Sequence, residues 1–374
     1  KDLDGGGDTG FEKNDFMVKG RLNSDPAAEI YHQLDLTLEY ANETSDETYL
    51  GLAENDFRAT PYRRYAGSQN ALFEWDYRKA QMNHLVELGA SLSVNTTLYY
   101  QEFERAWTKF REFEADRDIQ EIFQNPEAGR NRDFLDVLRG VRDSERSAQE
   151  TLLVETNDRE YFSRGIQSAV RWQTATGALD HEVRAGVRFH QDEVERDHSD
   201  QGFLMRSARL EADGDSVDTL QNRETADALA LFVQDEIRAG RLSVTPGVRV
   251  ETVDYESTDL SSGQTLTNDN TEVLPGLGAF YQWTPRLGVL AGVHRGFVPT
   301  GPAVDDDVDP EESVNYEAGF RYAGQGLNGE LIGFFNDYSN LLGACSLSAS
   351  CSDPTGVFNG GEVNVYGFES RLAV

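Results

Sequence analysis

The stretch from Ala226 to Tyr255, ADALALFVQDEIRAGRLSVTPGVRVETVDY, narrows the possible folds more than any other part of the chain. Leu229, Leu231 and Val233 share one parity, and Leu242, Val244, Val248 and Val250 share another. Gln234, Glu236, Ser243, Thr245, Arg249 and Glu251 stand between them. Successive side chains on a strand point to opposite faces, so each segment has one oily and one polar face. Ala239-Gly240 joins them with hairpin turn chemistry. Two architectures make such strands: a β-sandwich, and a transmembrane barrel with lipid outside and water inside.

The rest of the chain repeats the pattern. Phe16, Val18, Gly20 and Leu22 mark a first strand, after residues 1–11 that read as the end of a loop. Leu34, Leu36, Leu38 and Tyr40 alternate with Gln33, Asp35, Thr37 and Glu39 in a second. About thirteen strands follow from this reading. Tight turns near Ser24, Gly89, Gly177, Gly240, Pro285 and Gly326 alternate with long loops at 43–68, 108–158, 192–225, 256–272 and 298–311, then with a cysteine-containing loop. Within 108–158, Phe134, Val137, Leu138 and Val141 follow helical spacing. A meander whose long connections all fall on one side is the pattern of an outer-membrane barrel, and a sandwich has no reason to sort its loops. The oily parity of the cleanest strands avoids Lys and Arg, each of which costs about 2–4 kcal/mol at mid-bilayer. Trp107, Trp172 and Trp283 are expected near strand ends, as an aromatic girdle.

Composition removes other functions. A net charge of −32 over 374 residues argues against nucleic acid as a partner. No 18-residue apolar run occurs, which leaves barrel strands as the means of crossing a membrane. HExxH, GxSxG, P-loop and zinc-finger patterns are absent, and no catalytic residues or cofactor are expected. GGGDTG at 5–10 matches GxGxxG literally, but no strand precedes it. Cys345 and Cys351, six apart in a Ser/Gly loop, suggest a local disulfide in an oxidising compartment, with two free thiols as the alternative. Asp305, Asp306, Asp307 and Asp309 have the oxygens a calcium ion takes but not EF-hand spacing, and a solvated acidic loop is the simpler reading. Asp35, Glu39, Glu182, Glu251 and Glu317, interspersed with Arg184, Arg188, Arg249 and Arg321, read as structural charge networks on the polar face.

Several segments resemble TonB-dependent outer-membrane receptors: LFVQDEIRAGRLSVTPGVRVE (231–251), LPGLGAFYQWTPRLGVLAGVHRGFVP (274–299), PEESVNYEAGFRY (310–322), FFNDYSNLLGAC (334–345) and FNGGEVNVYGFES (358–370). TTLYYQEFERAWTKF (96–110), NDREYFSRGIQ (157–167), RRYAGSQ (63–69) and GVRFHQDEVERDH (186–198) are similar to the ferric-citrate branch. The resemblance implies an all-β, antiparallel up-and-down transmembrane β-barrel in the bacterial outer membrane. Residues 1–374 would form one barrel domain spanning roughly strands 4 to 16 of the 22 such transporters have. The plug domain, the coupling box and the terminal strands would lie outside it. The implied partners are outer-membrane lipid and lipopolysaccharide, the TonB energy-coupling complex and a ferric chelate, most simply ferric citrate. An anionic chelate calls for Arg forks and polar donors at the extracellular mouth. The candidates are Arg58, Arg63 and Arg64 in the first full loop, Lys109 and Arg111 at the mouth of the longest, and His294 near a strand end. A passive porin and a soluble acidic all-β binding protein are the alternatives.

Overall fold

The computed structural model describes residues 2–46, 49–301, 308–344, 357–359 and 361–373. Its main sheet holds 14 strands, thirteen of them in one path that follows the chain strictly in order. They are β1 (Gly10–Asn23), β2 (Ile30–Asp46), β3 (Leu72–Leu88), β4 (Leu92–Phe113), β5 (Leu152–Thr176), β6 (Leu179–Arg206) and β7 (Val217–Ala239). Then come β8 (Leu242–Asp259), β9 (Thr265–Gln282), β10 (Leu287–Val298), β11 (Glu311–Gly324), β12 (Leu327–Ser339) and β13 (Val363–Ala373). All neighbours pair antiparallel, and the short strand Arg209–Ala212 folds back onto the end of β6. The path does not close on itself: β1 and β13 stand at its two edges.

Connections sort by end, as the sequence predicts. One end has 24–29, 89–91, 177–178, 240–241, 283–286 and 325–326; the other has 47–71, 114–151, 207–216, 260–264, 299–310 and 340–362. Gly177, Gly240 and Gly326 have positive φ in two-residue turns, the region a side chain disfavours.

Two expected loops are largely strand. β6 is 28 residues long and β7 is 23, so most of 192–225 is paired backbone. The connection at 256–272 shrinks to 260–264. β6 extends about 90 Å at 3.3 Å per residue, against a hydrocarbon core of about 30 Å. Above the membrane both faces of a strand are wet, so the apolar alternation that marks a strand fades while pairing continues.

The faces follow parity. Ile166, Phe189 and Leu229 are directly opposed on one face, as are Val187, Leu231 and Val250. The belt ends upward in one continuous row, Arg164–Gln191–Asp227–Asp254. On the opposite face, Arg171 and Arg184 close on Glu182, Arg249 on Glu251, Arg21 on Asp35 and Arg321 on Glu330. The outer face therefore suits lipid and the inner face water. Trp172 and Trp283 stand 48% and 58% exposed at the short-turn end, consistent with a girdle. Trp107 does not join them: β4 runs on to Phe113, and Trp107 sits on the inner face with its ring edge against Phe73.

The buried apolar cluster lies in the loops and the strand ends beneath them, not in the body of the sheet. Leu50, Ala53, Tyr65 and Ala66 pack with Ile122, Phe134, Leu135, Val137 and Leu138 over the strand residues Phe110, Phe113, Leu152 and Met205. This cap contains helices α1 (Glu54–Ala59), α2 (Ile119–Gln124) and α3 (Asn131–Leu138). Asp118 caps α2 through the Gln120 amide. The expected helix is α3, although Val141 falls beyond its end and is exposed. Residues 2–3, expected in a loop, form a short parallel bridge with Arg63–Arg64.

Candidate ligand site on the inner wall

The sequence candidates do not converge. Arg58 lies exposed on α1 and pairs with Glu54 one turn back, at 2.6 Å. Arg63 reaches Asp4 at 2.7 Å and Asp56 at 3.1 Å. Arg64 is buried within the cap. Lys109 faces inward from β4, 3.7 Å from Glu155 and over the rings of Trp107 and Tyr49 at 4.2 and 4.6 Å. Arg111 bridges Glu112 and Asp200. His294 lies farther round the wall on β10, between Gly276 and Asn315. It borders a depression of about 500 Å³ with Phe232, Arg249 and Gly247. Asp309 is exposed, while Asp305, Asp306, Asp307, Cys345 and Cys351 lie outside the described residues. Among the described residues, no group of three or more His, Cys, Asp or Glu is placed to hold a metal ion.

A different cationic row stands on the inner wall above the belt. Arg105, Arg159 and Arg196 are directly opposed on β4, β5 and β6. Like charges in register repel, so such a row is destabilising unless something anionic meets it. Arg196 has Glu224 at 2.8 Å. Among the described residues no carboxylate lies within 4.0 Å of Arg105 or Arg159. Arg159 instead donates through Nε to His198 Nε2 at 3.1 Å and through Nη1 to the Tyr161 hydroxyl at 3.3 Å. The local potential is legible in two groups above the belt. Burial, then the charge of Arg159, holds His198 below the ordinary histidine range. For Tyr161, burial opposes ionisation, but hydrogen bonds from Arg159 and Arg105 outweigh it and lower the phenol's pKa.

Aromatic rings flank the row. Phe103 lies 5.9 Å from Trp75 and 6.0 Å from Tyr161, centroid to centroid. Tyr77, Phe103, Tyr161 and Tyr255, together with the carboxylates of Asp192, Glu193 and Glu224, line a cavity of about 400 Å³ just below the arginines. The arrangement offers guanidinium forks to an oxyanion and ring faces to whatever apolar skeleton carries it. Sequence reasoning missed it because the three arginines are dispersed over some ninety residues and meet only through register. The usable signal was parity: Arg105, Arg159 and Arg196 all fall on the polar face of their strands.

Comparison with known proteins agrees with the fold. The family described as TonB dependent receptor-like, beta-barrel, matches residues 5–373, and the chain belongs to it. This is a family of transport receptors, and the chain is accordingly an outer-membrane β-barrel chain. The metal-pseudopaline receptor CntO of Pseudomonas aeruginosa is 28% identical over 215 residues, which is 53% of this chain and 30% of the relative. The ferric citrate transporter FecA in its unliganded form superposes with a TM-score of 0.72 at 18% identity, covering 97% of this chain and 47% of that one. The siderophore receptor PiuA from Acinetobacter baumannii gives 0.69 at 13% identity, covering 98% and 55%. The chain thus spans about a third of the curated relative and about half of each solved structure.

Proposed function

We propose that this wall serves a TonB-coupled receptor that admits an anionic metal chelate, with ferric citrate as the first ligand to test. The observation that carries the reading is the Arg105–Arg159–Arg196 row, in a chain of net charge −32 whose other inner-wall arginines mostly close on carboxylates. Two guanidiniums without a carboxylate among the described residues, in register and facing water, are what a polycarboxylate chelate needs. Aromatic walls below them exclude water from one side of the bound ligand. Arg58, on the cap surface, and Lys109 and Arg111, at the mouth, are the cations such a ligand meets on the way in. The TonB complex supplies the energy in the complete protein, and the outer belt contacts membrane lipid and lipopolysaccharide. The FecA likeness favours citrate; the CntO likeness makes a metal–pseudopaline complex the second ligand to try.

The test is equilibrium binding of ferric citrate to the full-length receptor by calorimetry, for wild type and for Arg105→Gln/Arg159→Gln. Each lost charged hydrogen bond is worth about 1.5–3 kcal/mol, so the double variant is expected to weaken binding by roughly a hundredfold or more. Unchanged affinity in the double variant sinks the reading.

A further inference from the structure

Below the arginine row, at the height of the lipid belt, four inner-wall side chains form a network that chelate holding does not use. The Tyr99 hydroxyl on β4 lies 2.5 Å from His190 Nδ1 on β6. His190 Nε2 lies 2.7 Å from Asp192 Oδ2. Arg188 donates from Nε and Nη2 to the same phenol oxygen at 3.2 and 3.1 Å. Asp192 accepts at Nε2, which fixes the proton there and leaves Nδ1 as the acceptor for the phenol. β5 lies between these strands, and Gly165 is what lets the phenol cross it. Gly165 is opposed to both Tyr99 and His190, and a Cβ there would lie 2.4 Å from the phenol oxygen. Whereas Arg184, Arg249 and Arg321 close on carboxylates, Arg188 has none within 4.0 Å among the described residues.

The order carboxylate–imidazole–phenol is the order needed to strip a tyrosine of its proton as it becomes a metal ligand. Metal ligands must be deprotonated, and a phenolate oxygen is a known partner of ferric iron. We propose that Tyr99 is an inner-sphere ligand for Fe(III) presented in a chelate that has an exchangeable coordination position. The Tyr99 O–H bond breaks and its proton passes to His190 Nδ1, where Asp192 holds the resulting imidazolium. The phenolate oxygen bonds to iron as one carboxylate or water of the chelate leaves. Arg188 is placed to receive a displaced carboxylate, and the iron stays ferric throughout. Tyr99 stands six residues from Arg105 along β4, about 20 Å at 3.3 Å per residue. It therefore forms a second station, deeper than the arginine row. This inference rests on the ferric-chelate reading above.

The experiment is a visible-light titration of the full-length apo receptor with Fe(III)–nitrilotriacetate, beside the ferric-citrate calorimetry. A phenolate-to-iron charge-transfer band is expected in wild type and absent in Tyr99→Phe. In His190→Gln the band should need at least about tenfold more iron, the usual cost of losing a group that supports a ligand. A hexadentate trihydroxamate chelate, which leaves iron no exchangeable position, should show only its own hydroxamate-to-iron band, with no added absorbance when the receptor is present. A band that persists in Tyr99→Phe, or no band in wild type, overturns the proposal. If wild type binds ferric citrate normally yet gives no band, the tyrosine site alone falls; if ferric citrate does not bind at all, the chelate reading falls first.

Discussion

In the cap, Phe134, Leu138 and Ile122 are 1% exposed or less; in the wall, Leu231, Leu229 and Phe189 are 52%, 47% and 47% exposed. The residue types are similar, but the surroundings they need differ. The cap supplies its own apolar phase by folding 49–71 and 114–151 together over the strand ends. The wall shows its apolar rows outward, where only lipid completes the burial. Charges divide the same way. Cap carboxylates are sealed by several donors: Glu150, fully buried, lies 2.7 Å from Arg130 and 2.8 Å from Arg142. Inner-wall charges mostly pair with neighbours on the same face, and the arginines of those pairs stay largely exposed. The cap thus has a sealed core of its own where the wall leaves its apolar face to lipid, and each should fail under different insults.

The largest expected effect is in the cap. Phe134→Ala should cost about 3–5 kcal/mol, the range for a large aromatic removed from a sealed core. Hydrogen exchange should speed up through 114–151 and leave β7–β9 unchanged; equal acceleration in both would mean one cooperative unit and would break the comparison. Next is the wall's outer face. Leu231→Arg should cost about 2–4 kcal/mol for folding into vesicles, whereas Gln234→Arg on the inner face should cost little. Equal penalties would mean the faces are assigned wrongly. Third is acid. Burial tends to raise the Asp56 carboxyl, but hydrogen bonds from Tyr65 and Arg139 and the charges of Arg139 and Arg63 outweigh it, so its pKa is lowered. A depressed folded pKa contributes stability that is full above the unfolded value, about 3.9, and is lost as pH falls through the folded value. Protection factors in the cap, taken relative to the intrinsic exchange rate at each pH, should therefore fall at pH 3 relative to pH 7, and Asp56→Asn should remove most of that pH dependence while costing about 1.5–3 kcal/mol at neutral pH. Tyr65 has the opposite sign: burial first, then its bond to Asp56, push it up to about 12. Its contribution holds below the ordinary tyrosine range and fades as pH rises through 12.

The wall was legible because lipid imposes a strict period of two, and the hairpin at 226–255 carries it without interruption. Turn positions were legible because Gly177, Gly240 and Gly326 have little competition for a positive φ. Strand length was not legible, since β6 and β7 leave the membrane where the lipid-imposed alternation stops. The cap was visible only as helical spacing around Phe134; its packing against Tyr65 and Met205 is a contact between distant segments. The ligand candidates suffered from the same limit. Arg63 and Arg111 were noticed as charges in loops, and the sequence does not show that Asp4, Asp56 and Asp200 reach them. Arg105, Arg159 and Arg196 look like ordinary members of charged strands until register lines them up. Arg188, read as part of a charge network with carboxylates, binds a tyrosine hydroxyl.

The smallest expected effect separates cap from wall by sign. Removing a cap arginine strands half-buried carboxylates: Arg139 lies 2.8 Å from Asp56 and 3.0 Å from Asp136, so Arg139→Gln should destabilise the cap. Arg159 is opposed to arginines on both sides, and neutralising it relieves repulsion. Arg159→Gln should therefore stabilise the ligand-free receptor, by about 0.2–1 kcal/mol, the range for cross-strand pairs. With saturating ferric citrate the order should reverse, because only wild type gains the binding energy of the full row. Denaturant midpoints measured with and without the chelate check both signs. A loss of stability without ligand would mean that Arg159 works for the fold through His198 and Tyr161, and the row would then be a structural feature instead of a site held open for an anion.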